Sequence, residues 1–240
     1  MEDHFRRYRL GHTKNVILED SYGIRFILPP HDRNPIRWQL NAGTNHHEFD
    51  TIQQIVNEGD TVFDVGANIG LLSVWMAKQI GPQGRVYAFE PHPETRKLLK
   101  KTIALNEVEN IVVIPHALSS HKGATQLHTV GHNHKLSSLG PIKDSTYGEH
   151  RTLQVETYTL DAFCAEQGIE YIHFLKIDVE GFERAVLEGA QILLKHHKIG
   201  VIQFEMWEKD LRLLTILKEH GYTLNESLTH ASNFYAFSAI

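Results

Sequence analysis

Between Thr61 and Ala77 the chain reads as a strand, a glycine turn and the start of a helix, the arrangement that most restricts its fold. The apolar run Thr61-Val62-Phe63 leads into Asp64-Val65-Gly66-Ala67-Asn68-Ile69-Gly70, and Leu71-Leu72-Ser73-Val74-Trp75-Met76-Ala77 follows with a helical pattern. Gly66 allows a tight turn without a Cβ. Gly70 allows the helix and strand to approach closely, and the helix N-terminus presents free N–H groups at the positive end of its dipole. A second strand, Arg85 to Phe89, ends in Glu90, twenty residues after Gly70. An acid at that place accepts hydrogen bonds from both hydroxyls of a ribose.

The turn departs from the dinucleotide pattern G-x-G-x-x-G, because Asn68 stands two residues after Gly66. A pyrophosphate needs bare backbone there, so NAD fits poorly. S-adenosylmethionine (SAM) carries no phosphate, and the ammonium of its amino acid end suits an acid such as Asp64. The pattern D-x-G-A-N-x-G followed by F-E-P therefore favours an adenosyl ligand, held by Asp64, Gly66, Ala67, Asn68, Gly70 and Glu90.

Past Glu90 the patterns predict helix 93–105, strand 111–115, strand-like stretches 125–129 and 152–158, helix 160–167, strand 172–177, helix 184–195, strand 199–205 and helix 211–220. Strands that alternate with helices imply a mainly parallel sheet covered on both faces. Residues 222–227 and 233–238 read as two strands with no helix between them, an antiparallel hairpin at the sheet edge. With 240 residues the default is one domain: an N-terminal cover or substrate region over 1–50, and a core over 51–240 with an insertion or lid at 121–150.

Four stretches occur in an order that resembles the FkbM family of SAM-dependent methyltransferases: Val62 to Gly70, Phe89-Glu90-Pro91, Ala117-Leu118-Ser119-Ser120, and Leu175-Lys176-Ile177-Asp178-Val179-Glu180-Gly181-Phe182-Glu183. The resemblance spans roughly 48 to 210 and implies a class I methyltransferase (Rossmann-like) fold with O-methylation of hydroxyls on sugars, glycans or natural products. By analogy with the family, Ala117, Leu118 and Ser119 edge the adenine.

Ligands of an open α/β sheet bind beyond the carboxyl ends of its strands. That rule places Asp178, after the fourth strand, and Glu205, ending the fifth, on the acceptor side as candidate catalytic residues. One orients the acceptor and the other removes the hydroxyl proton. Metal-dependent O-methyltransferases of this fold set acids at these two places, so Asp178 and Glu205 are also the candidate ligands of a divalent cation such as Mg; Glu205-Met206-Trp207 offers no second oxygen ligand directly after the acid. Asp178 also suits a helix cap, and Glu180 and Glu183 suit the first turn of a helix.

Seventeen histidines invite a zinc reading. His46-His47-Glu48, His196-His197 and the 128, 132, 134 group lack metal-site spacing, and there is one cysteine, so surface histidines account for them better; a histidine of the last group is an alternative base. His116 reads as a packing residue and Trp75 as core, while Trp207 has the best position for an acceptor contact and Trp38 belongs to the cover.

The lone Cys164 excludes an intramolecular disulfide framework, suits a reducing cytosol and reads as a buried thiol. A cytoplasmic location is expected: no apolar stretch follows the N-terminal arginines as in a signal peptide, and no run approaches the ~18 apolar residues of a membrane span. The formal charge of −5 lacks the basic excess of a nucleic-acid binder. The expected partner is a small-molecule or glycan hydroxyl acceptor. The competing readings are a noncatalytic nucleotide-binding or scaffold protein on the same fold, and a methyltransferase with a protein acceptor. The sequence leaves the oligomeric state open.

Overall fold

A computed structural model of the protein describes residues 6–8, 16–28, 47–130, 133–139, 150–206, 210–230 and 232–239. Its centre is a seven-stranded sheet. Five strands are parallel: β4 (Thr61–Val65), β5 (Arg85–Phe89), β6 (Ile111–Ile114), β11 (Ile172–Ile177) and β12 (Ile199–Glu205). The chain builds β4, β5 and β6 outward in one direction, then returns to lay β11 and β12 on the other side of β4. The strand order therefore reverses between β4 and β11, and ligands of such sheets bind at that reversal. The expected hairpin is present. Strand β14 (Asn233–Ser238) pairs antiparallel with β12, and β13 (Tyr222–Leu224) closes the edge beyond it.

Both faces of the sheet are covered, which explains why the central strands read as nearly continuous apolar runs. Residues alternate between two cores. Phe63, Leu175, Ile177, Ile202 and Phe204 face a cluster built with α4 (Leu160–Gln167), α5 (Glu183–Glu188), α6 (Gln191–Lys195) and α7 (Leu211–Glu219). Val62, Phe174, Val201 and Tyr235 face the opposite cluster, which receives Phe49 and Ile52 from the helical residues 47–53, here α1, and Val74 and Trp75 from α2 (Leu71–Gln79). Trp75 is core as expected and stacks on Phe49 with centroids 5.0 Å apart. Each such side chain contributes roughly 1.5–3 kcal/mol by leaving water. Cys164 is also buried, and burial pushes its thiol up to about 12.

Local signals set the starts of three helices. His92 caps α3 (Pro93–Leu105), its Nδ1 accepting from Thr95 N at 3.3 Å with Pro93 at the first helical position; Thr159 caps α4 and Asp210 caps α7. One expectation fails. The single helix expected over 184–195 is two, α5 and α6, broken at Gly189, where an added Cβ would lie 2.2 Å from the Ser119 carbonyl oxygen. A tertiary contact breaks this helix, not a local breaker.

The insertion expected at 121–150 is more regular than its composition suggests. Strands β8 (Gly123–Val130) and β9 (Asn133–Ser138) join β10 (His150–Tyr158) and the short β7 (Ala117–Leu118) in a second sheet ordered β7-β10-β8-β9; residues 140–149 lie outside the described ones. The N-terminal region forms a third sheet of β1 (Arg6–Tyr8), β2 (Val16–Glu19) and β3 (Arg25–Leu28). Leu18, Phe26 and Ile27 pack on Ile69 and Leu98, and Asn106 Oδ1 accepts from Arg25 N at 3.0 Å. This sheet thus braces the glycine turn and α3. Among the described residues no helix is long and apolar enough to cross a membrane.

Candidate active site

The glycine turn is fixed from both sides. Gly66 N and Ala67 N donate to Phe89 O at 3.1 and 2.9 Å, which ties the turn to the end of β5. Gly66 has φ +85°, and a Cβ there would lie 1.9 Å from the carbonyl oxygen of Asp178. Its missing side chain therefore lets the end of β11 close against the turn. Gly70, at φ +87°, does not serve a helix–strand approach as expected: its Cβ would lie 2.2 Å from Leu99 Cδ1, so it brings the start of α2 against α3.

Asn68 adopts a left-handed φ of +52°. Its N–H donates to Glu90 Oε2 at 2.9 Å, and its side-chain Oδ1 is buried with no hydrogen-bond partner among the described residues. Glu90 is 6% exposed, and its Oε1 accepts from His92 N at 2.8 Å. Burial pushes this carboxyl up to about 8 although the His92 and Asn68 N–H groups and the Arg96 guanidinium favour the charged form. Each carboxylate oxygen keeps a lone pair for a further donor. Arg96 meanwhile donates to the carbonyls of Glu90 and Pro91, fixing the backbone that carries the acid.

One row of polar side chains crosses the middle of the sheet. Asp64, Lys176, Gln203 and Tyr235 are in register on β4, β11, β12 and β14, and so share the face that α1 and α2 cover. Lys176 Nζ lies 3.5 Å from Asp64 Oδ1 and 3.2 Å from Asp178 Oδ2, and Ser73 of α2 donates to the other oxygen of Asp64. Burial alone would lower the Lys176 ammonium, but Asp178, Asp64 and Glu48 together hold it above the usual lysine range. Gln203 Nε2 donates to Glu48 Oε1 at 2.6 Å and lies 3.3 Å from Asn233 Oδ1. Burial raises the Glu48 carboxyl against the lowering pull of Lys176 and Gln203.

The expected residues are distributed unequally around this row. Asp178 joins it directly. Glu205 ends β12 on the same rim, with its Oε1 accepting from Ser232 Oγ at 2.7 Å. Ala117, Leu118 and Ser119 sit where the second sheet meets the main core: Leu118 packs in the cluster with Phe63 and Phe89, and Ser119 N donates to Tyr158 O at 2.8 Å. Glu183 does not act only on the helix dipole, because its Oε1 accepts from Val179 N and Gly181 N and shapes the turn after Asp178. Ser138, at the end of β9, donates to the Glu180 carbonyl at 3.0 Å and links the second sheet to that turn. Lys176, Gln203 and Asn233 were not singled out from the sequence, and Glu48 was considered only with His46 and His47 as a metal group. A lysine and a glutamine inside apolar central strands were the available signal, since buried polar groups require partners.

Among the described residues no group of three or more His, Cys, Asp or Glu side chains is placed to hold a metal ion. The Asp178 oxygen nearest the row faces an ammonium, so the donor set does not fit a divalent cation at Asp178 and Glu205. His116 pairs with Glu156 at 3.0 Å and leans on Tyr158, and His47 stacks on His230 at 4.2 Å. Trp38, Trp207, His46 and His132 lie outside the described residues, as does the side chain of His134.

A doubly covered, mainly parallel sheet with a glycine turn after one strand and a buried acid after the next defines a Rossmann-like fold. The chain belongs to the family of the methyltransferase FkbM domain, whose model matches residues 64–224. It is 31% identical over 154 residues to methyltransferase sdnD of Sordaria araneosa, an alignment covering 53% of this chain and 59% of the relative. It is 29% identical over 194 residues to the 31-O-demethyl-FK506 methyltransferase FkbM of Streptomyces tacrolimicus, covering 69% and 74%. With the hexuronic acid methyltransferase AglP of Haloferax volcanii the identity is 28% over 159 residues, covering 65% and 62%. The chain thus spans less than two thirds of the length of sdnD and of AglP.

Proposed function

We propose that the protein transfers a methyl group from SAM to a hydroxyl of a sugar, glycan or natural product. The observation that carries this reading is the buried Glu90 carboxyl group held beside the Asn68 turn, one strand away from Asp64 on β4. The residues present fit an adenosyl cofactor. Glu90 has acceptor capacity left for two ribose hydroxyls, and the orphaned Asn68 Oδ1 awaits a donor, while Asp64, already paired with Lys176 and Ser73, contributes negative charge beside the turn. Gly66, Ala67 and Gly70 keep the turn free of bulk, and Ala117, Leu118 and Ser119 are assigned to the edge of the adenine by the family resemblance. The names of the FK506 and hexuronic acid relatives support an oxygen acceptor.

The bound cofactor supplies an electrophilic methyl on a sulfonium. The chain's own residues hold the acceptor in line with it and manage the hydroxyl proton. Asp178, at the open end of β11 with its side chain 42% exposed, orients the acceptor, and Glu205 borders it from β12. A divalent cation has no part in this reading.

The test is calorimetric titration with S-adenosylhomocysteine (SAH), with NAD as control and Glu90→Ala as variant, followed by transfer of labelled methyl from SAM to methyl hexosides and hexuronosides. SAH binding that the variant weakens at least tenfold, with no response to NAD, is expected. Folded wild-type protein that ignores SAH overturns the proposal.

A further inference from the structure

Three carboxylates, those of Glu48, Asp64 and Asp178, surround the single ammonium of Lys176, so the row carries more acid than base. Glu48 comes from α1, 155 residues before Gln203, which fixes its side chain. Gln203 is 1% exposed, yet its Oε1 has no hydrogen-bond partner among the described residues. A buried acceptor left unsatisfied beside a carboxylate is costly unless a ligand donates to it. The place has the chemistry for two hydroxyl donors, one for Gln203 Oε1 and one for Glu48, as vicinal hydroxyls of a sugar would provide.

We propose that Glu48 is the proton-carrying residue of the acceptor subsite: it releases a proton when a cationic adenosyl ligand enters and takes one from the acceptor hydroxyl during transfer. The inference rests on the methyltransferase reading and deepens it. In the transfer, the acceptor O–H bond breaks and its proton goes to a Glu48 oxygen. The acceptor oxygen forms the new bond to the methyl carbon, and the C–S bond breaks with its electron pair staying on sulfur. The cofactor loses one positive charge as Glu48 loses one negative charge, so the charge of the site is the same after transfer as before it. Gln203 holds the Glu48 carboxyl and receives the neighbouring hydroxyl, which makes it a positioning residue.

The groups that face Glu48 set its protonation. They are Lys176 and Asp178 at the end of β11, Asp64 on β4 and Tyr235 on β14, with Gln203 on β12 as the uncharged partner. On its own helix the neighbouring His47 is stacked on His230. Burial and the two acids favour the neutral carboxyl in the free protein, and Lys176 with Gln203 opposes them. An added cation tips that balance toward the carboxylate.

The experiment needs no acceptor. Titrations of the full chain with SAM and with SAH at pH 7, in phosphate and in Tris, differ in heat by the protons released. SAM is a sulfonium and SAH a neutral thioether, so wild-type protein is expected to release more protons to buffer with SAM than with SAH. Glu48→Gln is expected to bind both ligands and lose that difference, and Glu48→Asp is expected to keep it. Equal proton release by the wild type, or an unchanged difference in Glu48→Gln, overturns the inference and leaves the proposed function standing. Equal release by the wild type overturns the inference even if Glu48→Gln does not fold; Glu90→Gln, which removes the other raised carboxyl near the turn, is expected to keep the difference, and its loss there overturns the inference as well. Absence of binding by either ligand overturns the methyltransferase reading itself, and this inference with it.

Discussion

Replacing Lys176 with Met removes the one positive charge that, among the described residues, lies between the acids of the row, while keeping the length of its stem. The lysine side chain is 7% exposed and that of Asp64 1%, with 3.5 Å between Nζ and Oδ1. At an effective dielectric of about 20 that pair is worth roughly 5 kcal/mol of Coulomb energy, and breaking such a buried pair costs about 3–5 kcal/mol. The contact with Asp178 adds less than about 1 kcal/mol, because that carboxylate is 42% exposed and screened by water. For a chain of 240 residues, about 0.5 kcal/mol per kelvin of unfolding entropy converts the main loss into a Tm drop of roughly 6–10 °C. The assay is thermal unfolding of wild type, Lys176→Met, Asp64→Asn and the double variant at pH 7. The double variant should be at least about 2 kcal/mol more stable than the sum of the single losses. Additive losses, or a Tm shift under 2 °C in Lys176→Met, would show that the ammonium does not hold Asp64.

Gly66→Ala places a Cβ 1.9 Å from a backbone oxygen at φ +85°, so in urea unfolding it should lose more than about 3 kcal/mol, whereas Gly168→Ala, at φ +66° with open space around it, should lose only about 1–2 kcal/mol. Similar losses at the two sites would refute the close approach to Asp178. Glu90 gives a pH signature: its folded carboxyl is raised from 4.5 to about 8, so in that window the folded protein holds a proton that the unfolded chain has released. Stability from this group therefore falls as pH rises, and between pH 5 and 8 the wild type should lose on the order of 4 kcal/mol relative to Glu90→Gln, as read by urea unfolding. Parallel stability profiles for the two proteins would contradict the burial argument.

The elements that carry the proposed cofactor half of the site were legible because their determinants are local. The turn from Asp64 to Gly70 and the acid after Phe89 lie within one strand–helix–strand unit, and periodicity fixes where each falls. The terminal hairpin was legible for the same reason, since no helical pattern separates β13 from β14. The acceptor half depends on register. Lys176 and Gln203 each read as isolated polar residues in apolar strands, and only the pairing Lys176↔Gln203 and Lys176↔Asp64 shows that they form a row. Glu48 was hidden among histidines at the start of α1, and its relation to Gln203 spans 155 residues. The break between α5 and α6 was hidden too, because Gly189 answers to the Ser119 carbonyl and not to its helical neighbours.

The position of β14 has a consequence for how the chain assembles. It lies between β12 and β13, so β13, although synthesised earlier, cannot join the sheet until β14 has paired with β12. Asn233, at the start of β14, also supplies one of the oxygens beside Gln203. During synthesis β4, β5 and β6 can gather early, and the adenosyl turn with them, while the acceptor rim waits for residues emerging near the end of this sequence. Non-local pairing is slow to form, so closure of the sheet by β14 and β13 is expected to be a late step of assembly, after β11 has closed against the glycine turn.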